Sequence, residues 1–180
     1  MDGNLDVKGA ILLYTLAGLM ITFAGFAAVL LAIRQALGGH LSKLDRFLAK
    51  TVLIHVFVLI WGALLPPLLM LYGLPEADVW KIAAVLFAIP MLLFLLTYAH
   101  RREKATGERP QRLVHAVFVI AGSIVILVML AYVMGGFTHS AAAYISALVL
   151  DFFTLAYAFV TALEVILSHG EAPQPTQSKQ

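Results

Sequence analysis

The chain has 180 residues, of which 62% are hydrophobic and 12% are charged, and its formal net charge at pH 7 is +2. Soluble domains carry about 25% charged residues, so this composition excludes an ordinary soluble domain and indicates an integral membrane protein. The sequence contains no cysteine, which excludes disulfide bonds and thiolate metal sites. The net charge is only slightly positive and the sequence contains no nucleic-acid-binding motif, so we expect no nucleic-acid partner.

Five segments are long and apolar enough to cross a bilayer, which takes about 17–25 residues. They cover residues 10–33, 51–74, 82–99, 113–137 and 141–163. Because these runs are continuous and do not alternate, they predict helices and not the strands of a barrel. The connections are too short to hold another domain. We therefore predict an all-α polytopic membrane protein, with one bundle of five transmembrane helices within residues 1–170.

An amphipathic segment links the first two spans. Between Leu41 and Leu48, apolar residues fall on one helical face and basic residues on the other. Asp45 follows Ser42 after three positions, which resembles the capping box at the start of a helix. We expect a short interfacial helix that lies on the inner leaflet and runs into span two.

The lysines and arginines predict how the bundle is oriented. Ten of the 12 lie between spans one and two, between spans three and four, or after span five, and only Lys8 and Lys81 lie on the other side. By the positive-inside rule, the N-terminus is outside the cell and the C-terminus is cytoplasmic. The expected location is a cell membrane, either a plasma membrane or an inner membrane.

The cytoplasmic side predicted in this way carries a basic cluster. We expect it to contact the lipid bilayer at anionic headgroups. Its residues are Lys43, Arg46, Lys50, Arg101 and Arg102. Gly107 favours the end of the third helix. The tail, residues 171–180, is polar and proline-spaced, which predicts disorder.

Asp151 is the most informative residue, because it is an acid inside the otherwise uncharged span five. A carboxylate at the bilayer centre costs roughly 2.5–3.5 kcal/mol even on insertion scales, so such a residue usually faces protein or water. It belongs to a seam of small and polar residues that we expect to face the bundle: Ser140, Ala143, Ala147, Asp151, Thr154, Ala158 and Thr161. Span one has a similar seam for close packing: Gly18, Thr22, Gly25, Ala28 and Ala32.

Prolines in span two add polar groups at a similar depth. Pro66 and Pro67 cannot donate to the carbonyls of Gly62 and Ala63, which therefore need other partners. Freed carbonyls beside a mid-membrane acid are typical of ion and proton sites in transporters. The predicted ion or proton site comprises Asp151, Thr154, Ser123, Gly62 and Ala63.

Two other roles for Asp151 remain open at this point. No Lys or Arg lies within any span, so only a histidine could offer it a positive partner. We therefore expect a largely protonated side chain that donates a hydrogen bond. Such a side chain could act only as a tie between helices, or it could lie at an oligomer contact.

His55 and His115 form the alternative site. Each lies a few residues inside its apolar segment, near the cytoplasmic side, and each is followed seven residues later by a glycine, Gly62 or Gly122. If their helices are neighbours, the two imidazoles could ligate a b-type haem. We predict no other cofactor and no metal site.

No catalytic motif is present, so the sequence supports no catalytic residues and leaves enzyme activity undecided. The sequence favours a small transporter, a channel-like protein or an accessory membrane subunit with a buried carboxyl site. The alternatives are a haem-binding electron carrier and a structural or interaction protein without transport activity. Assembly into a homo-oligomer or a larger membrane complex is compatible with each of these functions.

Overall fold

The structure, a computed structural model, describes residues 9–36, 42–107, 109, 112–136 and 140–168. They form five helices: α1 (Ala10–Ala36), α2 (Lys43–Met70), α3 (Glu76–Thr106), α4 (Arg112–Val133) and α5 (Ser140–Ser168). No strand occurs among these residues. Each helix is long and apolar enough to cross a membrane, so the predicted all-α, five-helix fold is confirmed. The predicted disordered tail, 171–180, lies outside the described residues.

The amphipathic segment runs into span two without a break. Lys43 to Leu48 are the first turns of α2, so within the described residues the expected interfacial helix is not a separate element. The capping box is present: Asp45 N donates to Ser42 Oγ at 3.0 Å, and Ser42 N donates to Asp45 Oδ2 at 2.9 Å. This cap places the start of α2 eight residues before the apolar run, because helical hydrogen bonding does not require apolar side chains.

The third helix also extends beyond its apolar segment at both ends. It begins after Pro75 and ends at Gly107, which adopts the left-handed conformation (φ 77°) and donates its N–H to Glu103 O at 2.8 Å. Glycine adopts this conformation without steric cost, so Gly107 ends the helix as the sequence predicts. With 31 residues, α3 carries its charged C-terminal turns past the apolar region.

The helices pack around α2, which contacts α1, α3 and α5, while α4 packs against α3 and α5. Short connections make successive helices antiparallel, so the bundle has two ends. We call one the basic end; it contains the starts of α2 and α4 and the end of α3, with Lys43, Arg102 and Arg112. The opposite end, with Glu76 and Asp78 at the start of α3, is the acidic end.

Apolar side chains fill the bundle interior and also cover its outer surface. Among the fully buried side chains are Leu59, Trp80 and Phe87, whereas Leu96 and Leu127 are largely exposed. Helices that are apolar on all sides are typical of a bundle surrounded by lipid. Five such helices fit a multi-pass membrane protein.

The two predicted seams face different surroundings. On α5, Ala147 and Asp151 are buried, and the remaining positions described towards the C-terminus are half-buried: Thr154, Ala158 and Thr161. The α1 seam is exposed along its whole length, and a Cβ added at Gly18 or Gly25 would meet no atom within 4 Å. Only the α5 seam is therefore packed within the described bundle.

Candidate functional site

His55 on α2 and Asp151 on α5 form a buried polar pair. The Nε2 atom of His55 lies 3.1 Å from Oδ1 of Asp151, which is hydrogen-bonding distance. His55 is 1% exposed and Asp151 is 0% exposed, so neither has appreciable contact with solvent. Either the imidazole N–H donates to the carboxylate, or the protonated carboxyl donates to the imidazole nitrogen.

Aromatic rings surround the imidazole. The ring centroid of His55 lies 4.9 Å from that of Phe94 and 5.6 Å from that of Phe118, with the second ring edge-on at 87°. Phe94 and Phe118 are in turn 5.8 Å apart. This packing restricts the rotation of the imidazole and keeps its Nε2 directed at Asp151.

The second carboxyl oxygen of Asp151, Oδ2, has a different environment. It is buried and has no hydrogen-bond partner among the described residues. A buried polar atom without a partner is costly, and in native proteins it usually binds water, an ion or a proton. Asp151 therefore has one oxygen bonded to His55 and a second oxygen that can bind a water molecule, an ion or a proton.

Pairing places His55 deeper than the apolar run alone suggests. His55 lies four residues into that run but twelve residues after Lys43, about 18 Å along α2 at 1.5 Å per residue. Asp151 lies eleven residues after Ser140 on α5. Both side chains thus come from the middle of their helices.

A cavity of about 100 Å³ extends from His55 towards the basic end. Its wall includes Leu44 and Arg102 at that end. The polar side chains along it are Thr51, His55, Tyr98, Thr154, Tyr157 and Thr161. A water molecule needs roughly 10–15 Å³ of such space, so the cavity can hold several.

Thr154, a predicted site residue, lines this cavity. Its Oγ1 donates to Leu150 O at 2.9 Å, and Thr161 Oγ1 donates to Tyr157 O at 3.0 Å. Both hydroxyl oxygens keep lone pairs that can accept a hydrogen bond from water. Ser123 is half-buried on α4.

The structure gives Gly62 and Ala63 a packing role. The hydroxyl of Tyr144 donates to the carbonyl of Gly62 at 2.7 Å, so this proline-freed carbonyl is satisfied by α5. Tyr144 lies seven residues before Asp151, and Ala63 is fully buried. The Gly62 carbonyl therefore lies nearer the acidic end than Asp151 and is not brought to it.

His55 and His115 have separate environments. His115 stacks on Tyr98, with ring centroids 5.7 Å apart and ring planes at 16°, while the Nε2 of His55 is bonded to Asp151. Ligand-sized cavities measure roughly 300 Å³ or more, and the cavity beside His55 is smaller. The two imidazoles thus have different partners in this structure, and haem ligation stays a prediction. No metal-binding group of three or more candidate ligands occurs within the described ranges.

Four residues of the predicted basic cluster lie together. Lys43, Arg46, Lys50 and Arg101 line one groove between α2 and α3, whereas Arg102 lines the cavity that leads to His55. The guanidinium of Arg101 lies over the ring of Phe94, 4.8 Å from its centroid. Arg101 thus connects the surface of the basic end to the aromatic rings around His55.

Two partners were not identified from sequence: His55 for Asp151, and Tyr144 for Gly62. For Asp151 the sequence did narrow the choice of a histidine partner, because His55 and His115 are the only histidines inside the five apolar segments. Choosing between them requires the relative level and rotation of α2, α4 and α5. No protein-family model, curated protein or solved structure matches this chain.

Proposed function

We propose that this protein carries protons across a membrane or to a site within it. It would do so either as a small transporter or as an accessory subunit of a larger complex. The observation that supports this proposal is the buried pair of His55 and Asp151 at the inner end of a cavity whose largely apolar wall includes several threonine and tyrosine hydroxyls. Proton carriers in membranes are typically carboxyl and imidazole groups that face the bundle interior.

The order of proton transfer follows from which member of the pair lines the cavity. His55 does so, and Asp151 does not. A proton arriving through water in the cavity binds one imidazole nitrogen, and the proton on the other nitrogen, Nε2, then passes to Oδ1 of Asp151. The imidazole ends neutral and the carboxyl ends protonated, so the charge balances.

Access to the pair is asymmetric. The cavity leads to the basic end, whereas fully buried side chains lie on the acidic side of the pair: Leu148, Tyr144 and Phe87. This conformation therefore corresponds to loading from the basic end. We propose that this end faces the cytoplasm, as the positive-inside rule favours.

Proton flux into proteoliposomes under an imposed pH gradient tests the proposal. Asp151→Asn and His55→Gln keep a hydrogen-bonding side chain but remove the groups that carry the proton. Each is expected to slow flux about 100-fold or more, as for loss of a positioned proton-transfer group. Glu164→Gln is the matched control, because Glu164 is an exposed carboxyl on the same helix and should be dispensable.

Wild-type flux that survives Asp151→Asn would rule out the assigned role. If purified protein shows no flux, infrared spectroscopy after a pH step can still detect the carboxyl. A protonated-carboxyl band that responds to pH and disappears in Asp151→Asn is expected. Absence of any Asp151-dependent band would leave proton transfer without support.

The second candidate is a structural or interaction protein, in which the same pair only ties α2 to α5. The observation that favours it is that the bond joins two helices that are not consecutive in the chain. In that case the wild-type protein should show neither proton flux nor a pH-dependent carboxyl band. Both substitutions should then only lower its stability.

A further inference from the structure

A groove of about 640 Å³ lies between α2 and α3 at the basic end. Five of its lining side chains are cationic: Lys43, Arg46, Lys50, Arg101 and Lys104. No acidic residue contributes to its lining within the described chain. The groove therefore concentrates positive charge in one place.

The two acids nearest to the groove in sequence are Asp45 and Glu103. Asp45 is 0% exposed and accepts the N–H of Ser42 in the helix cap. Glu103 lies on the other side of α3, where its Oε1 is 3.6 Å from Arg109 Nε and where it lines a different groove, with Arg112. The Glu103 carboxylate is therefore directed away from the five cations.

Arg101 is held in a fixed position on the wall of the groove. Its guanidinium packs over Phe94, and one terminal nitrogen donates to Phe94 O at 3.3 Å. Its Nε is buried and has no hydrogen-bond partner among the residues described. An arginine fixed in this way can bind a phosphate at little further entropic cost.

The wall of the groove also includes two large apolar side chains, Phe47 and Ile54. An occupant should therefore be anionic at one end and apolar at the other. The groove lies where the apolar parts of α2 and α3 give way to charged turns, so we expect it at the level of lipid headgroups. Basic pockets between transmembrane helices on the cytoplasmic side bind phosphate-bearing lipids.

We propose that this groove is a binding site for an acidic phospholipid, whose phosphate lies among the five cations and whose first acyl carbons lie against Phe47 and Ile54. With so many cations in one groove, a lipid with two phosphates should bind more tightly than a lipid with one. The proposal does not rest on the proton pair, although Thr51 lines both the groove and the cavity and Arg101 packs on Phe94 beside His55.

Native mass spectrometry of the full chain in mild detergent tests the proposal. The probes are a diphosphate phospholipid, a monophosphate acidic phospholipid, a zwitterionic phospholipid and inorganic phosphate. Affinity should fall in that order. Removing two cations with Arg46→Gln/Lys50→Gln should weaken acidic-lipid binding about 25-fold, at roughly fivefold per cation.

The matched control is Arg109→Gln/Arg112→Gln, which removes the same charge from the neighbouring groove and should change affinity by less than about twofold. Equal loss in both double variants would mean that net charge alone attracts the lipid, and would overturn the site. Binding of the zwitterionic lipid as tight as that of the acidic lipids would also overturn it. Competition by inorganic phosphate at equal concentration would identify a free-phosphate site and reject the lipid.

Discussion

At His55 and Asp151, two polar side chains that would each be costly alone in an apolar interior satisfy each other. A hydrogen bond between membrane helices contributes about 0.6 kcal/mol on average and at most about 1.7 kcal/mol. Leaving one buried partner unsatisfied costs about 1–3 kcal/mol. Most of the effect of breaking this pair should therefore come from the orphaned side chain, and less from the lost bond.

A double-mutant cycle with leucine measures this effect. His55→Leu and Asp151→Leu should each lower the free energy of unfolding by about 1–3 kcal/mol, because each leaves a lone polar group among Phe94, Phe118 and other apolar side chains. The double variant should lose about 1–2 kcal/mol less than the sum. Reversible unfolding in bicelles gives the four values, and additivity within about 0.3 kcal/mol would show that the pair does not interact.

Tyr144 satisfies a backbone carbonyl that a proline leaves without its usual donor. Proline at position 66 removes the N–H that would normally bond the carbonyl of Gly62, and the phenol hydroxyl of Tyr144 replaces it at 2.7 Å. The phenol ring is packed by Trp80 at 5.4 Å and Phe87 at 6.3 Å between ring centroids. The α2 helix thus keeps two prolines without an unsatisfied carbonyl at Gly62.

At the scale of the helices, Gly62 allows α2, α3 and α5 to approach closely. A Cβ at this position would lie 2.5 Å from Phe87 Cδ2 on α3 and 3.0 Å from Leu148 Cδ2 on α5. Phe87 and Leu148 are fully buried, so neither has open space to move into. The closeness of the three helices therefore depends on the missing side chain.

Gly62→Ala should lower the free energy of unfolding by about 1–3 kcal/mol, the usual cost of overpacking a core. The control is Gly18→Ala on α1, where a Cβ meets no atom within 4 Å. It should change stability by less than about 0.5 kcal/mol, or raise it slightly through helix propensity. Thermal unfolding in detergent compares the two, and equal destabilisation by both would show that another molecule covers the exposed α1 seam.

At the scale of the whole molecule, charge is segregated between the ends of the bundle. The basic end carries the groove between α2 and α3 and the start of the cavity, and the acidic end carries Glu76 and Asp78. If the basic end is cytoplasmic, the lipid site lies at the inner leaflet and the proton pair is loaded from inside the cell. The orientation of the bundle therefore decides which leaflet supplies the lipid and which side of the membrane supplies the proton.

Cysteine labelling in intact cells measures this orientation, and the chain has no cysteine of its own to interfere. Tyr72→Cys marks the turn between α2 and α3, where Tyr72 is 75% exposed, and Glu103→Cys marks the basic end. A membrane-impermeant maleimide should label the first in intact cells and the second only after permeabilisation. The reverse pattern would place the basic end outside.

Sequence alone was sufficient for the class of protein, the number of helices, the capping box at Ser42 and the helix end at Gly107. These features depend on local hydrogen bonding and on the length of apolar runs, which neighbouring residues determine. The sequence also identified Asp151 and the α5 seam, because an acid in an apolar span is costly wherever its partner lies.

Tertiary structure alone decided that Asp151 meets His55, that Tyr144 meets Gly62, and that the α1 seam faces outward while the α5 seam faces the bundle. These contacts depend on the level and rotation of each helix. In a soluble protein the apolar stripe indicates the buried face, but here both faces are apolar, so the pattern does not specify rotation. Only the packing of α2 against α5 brings an imidazole to the buried acid.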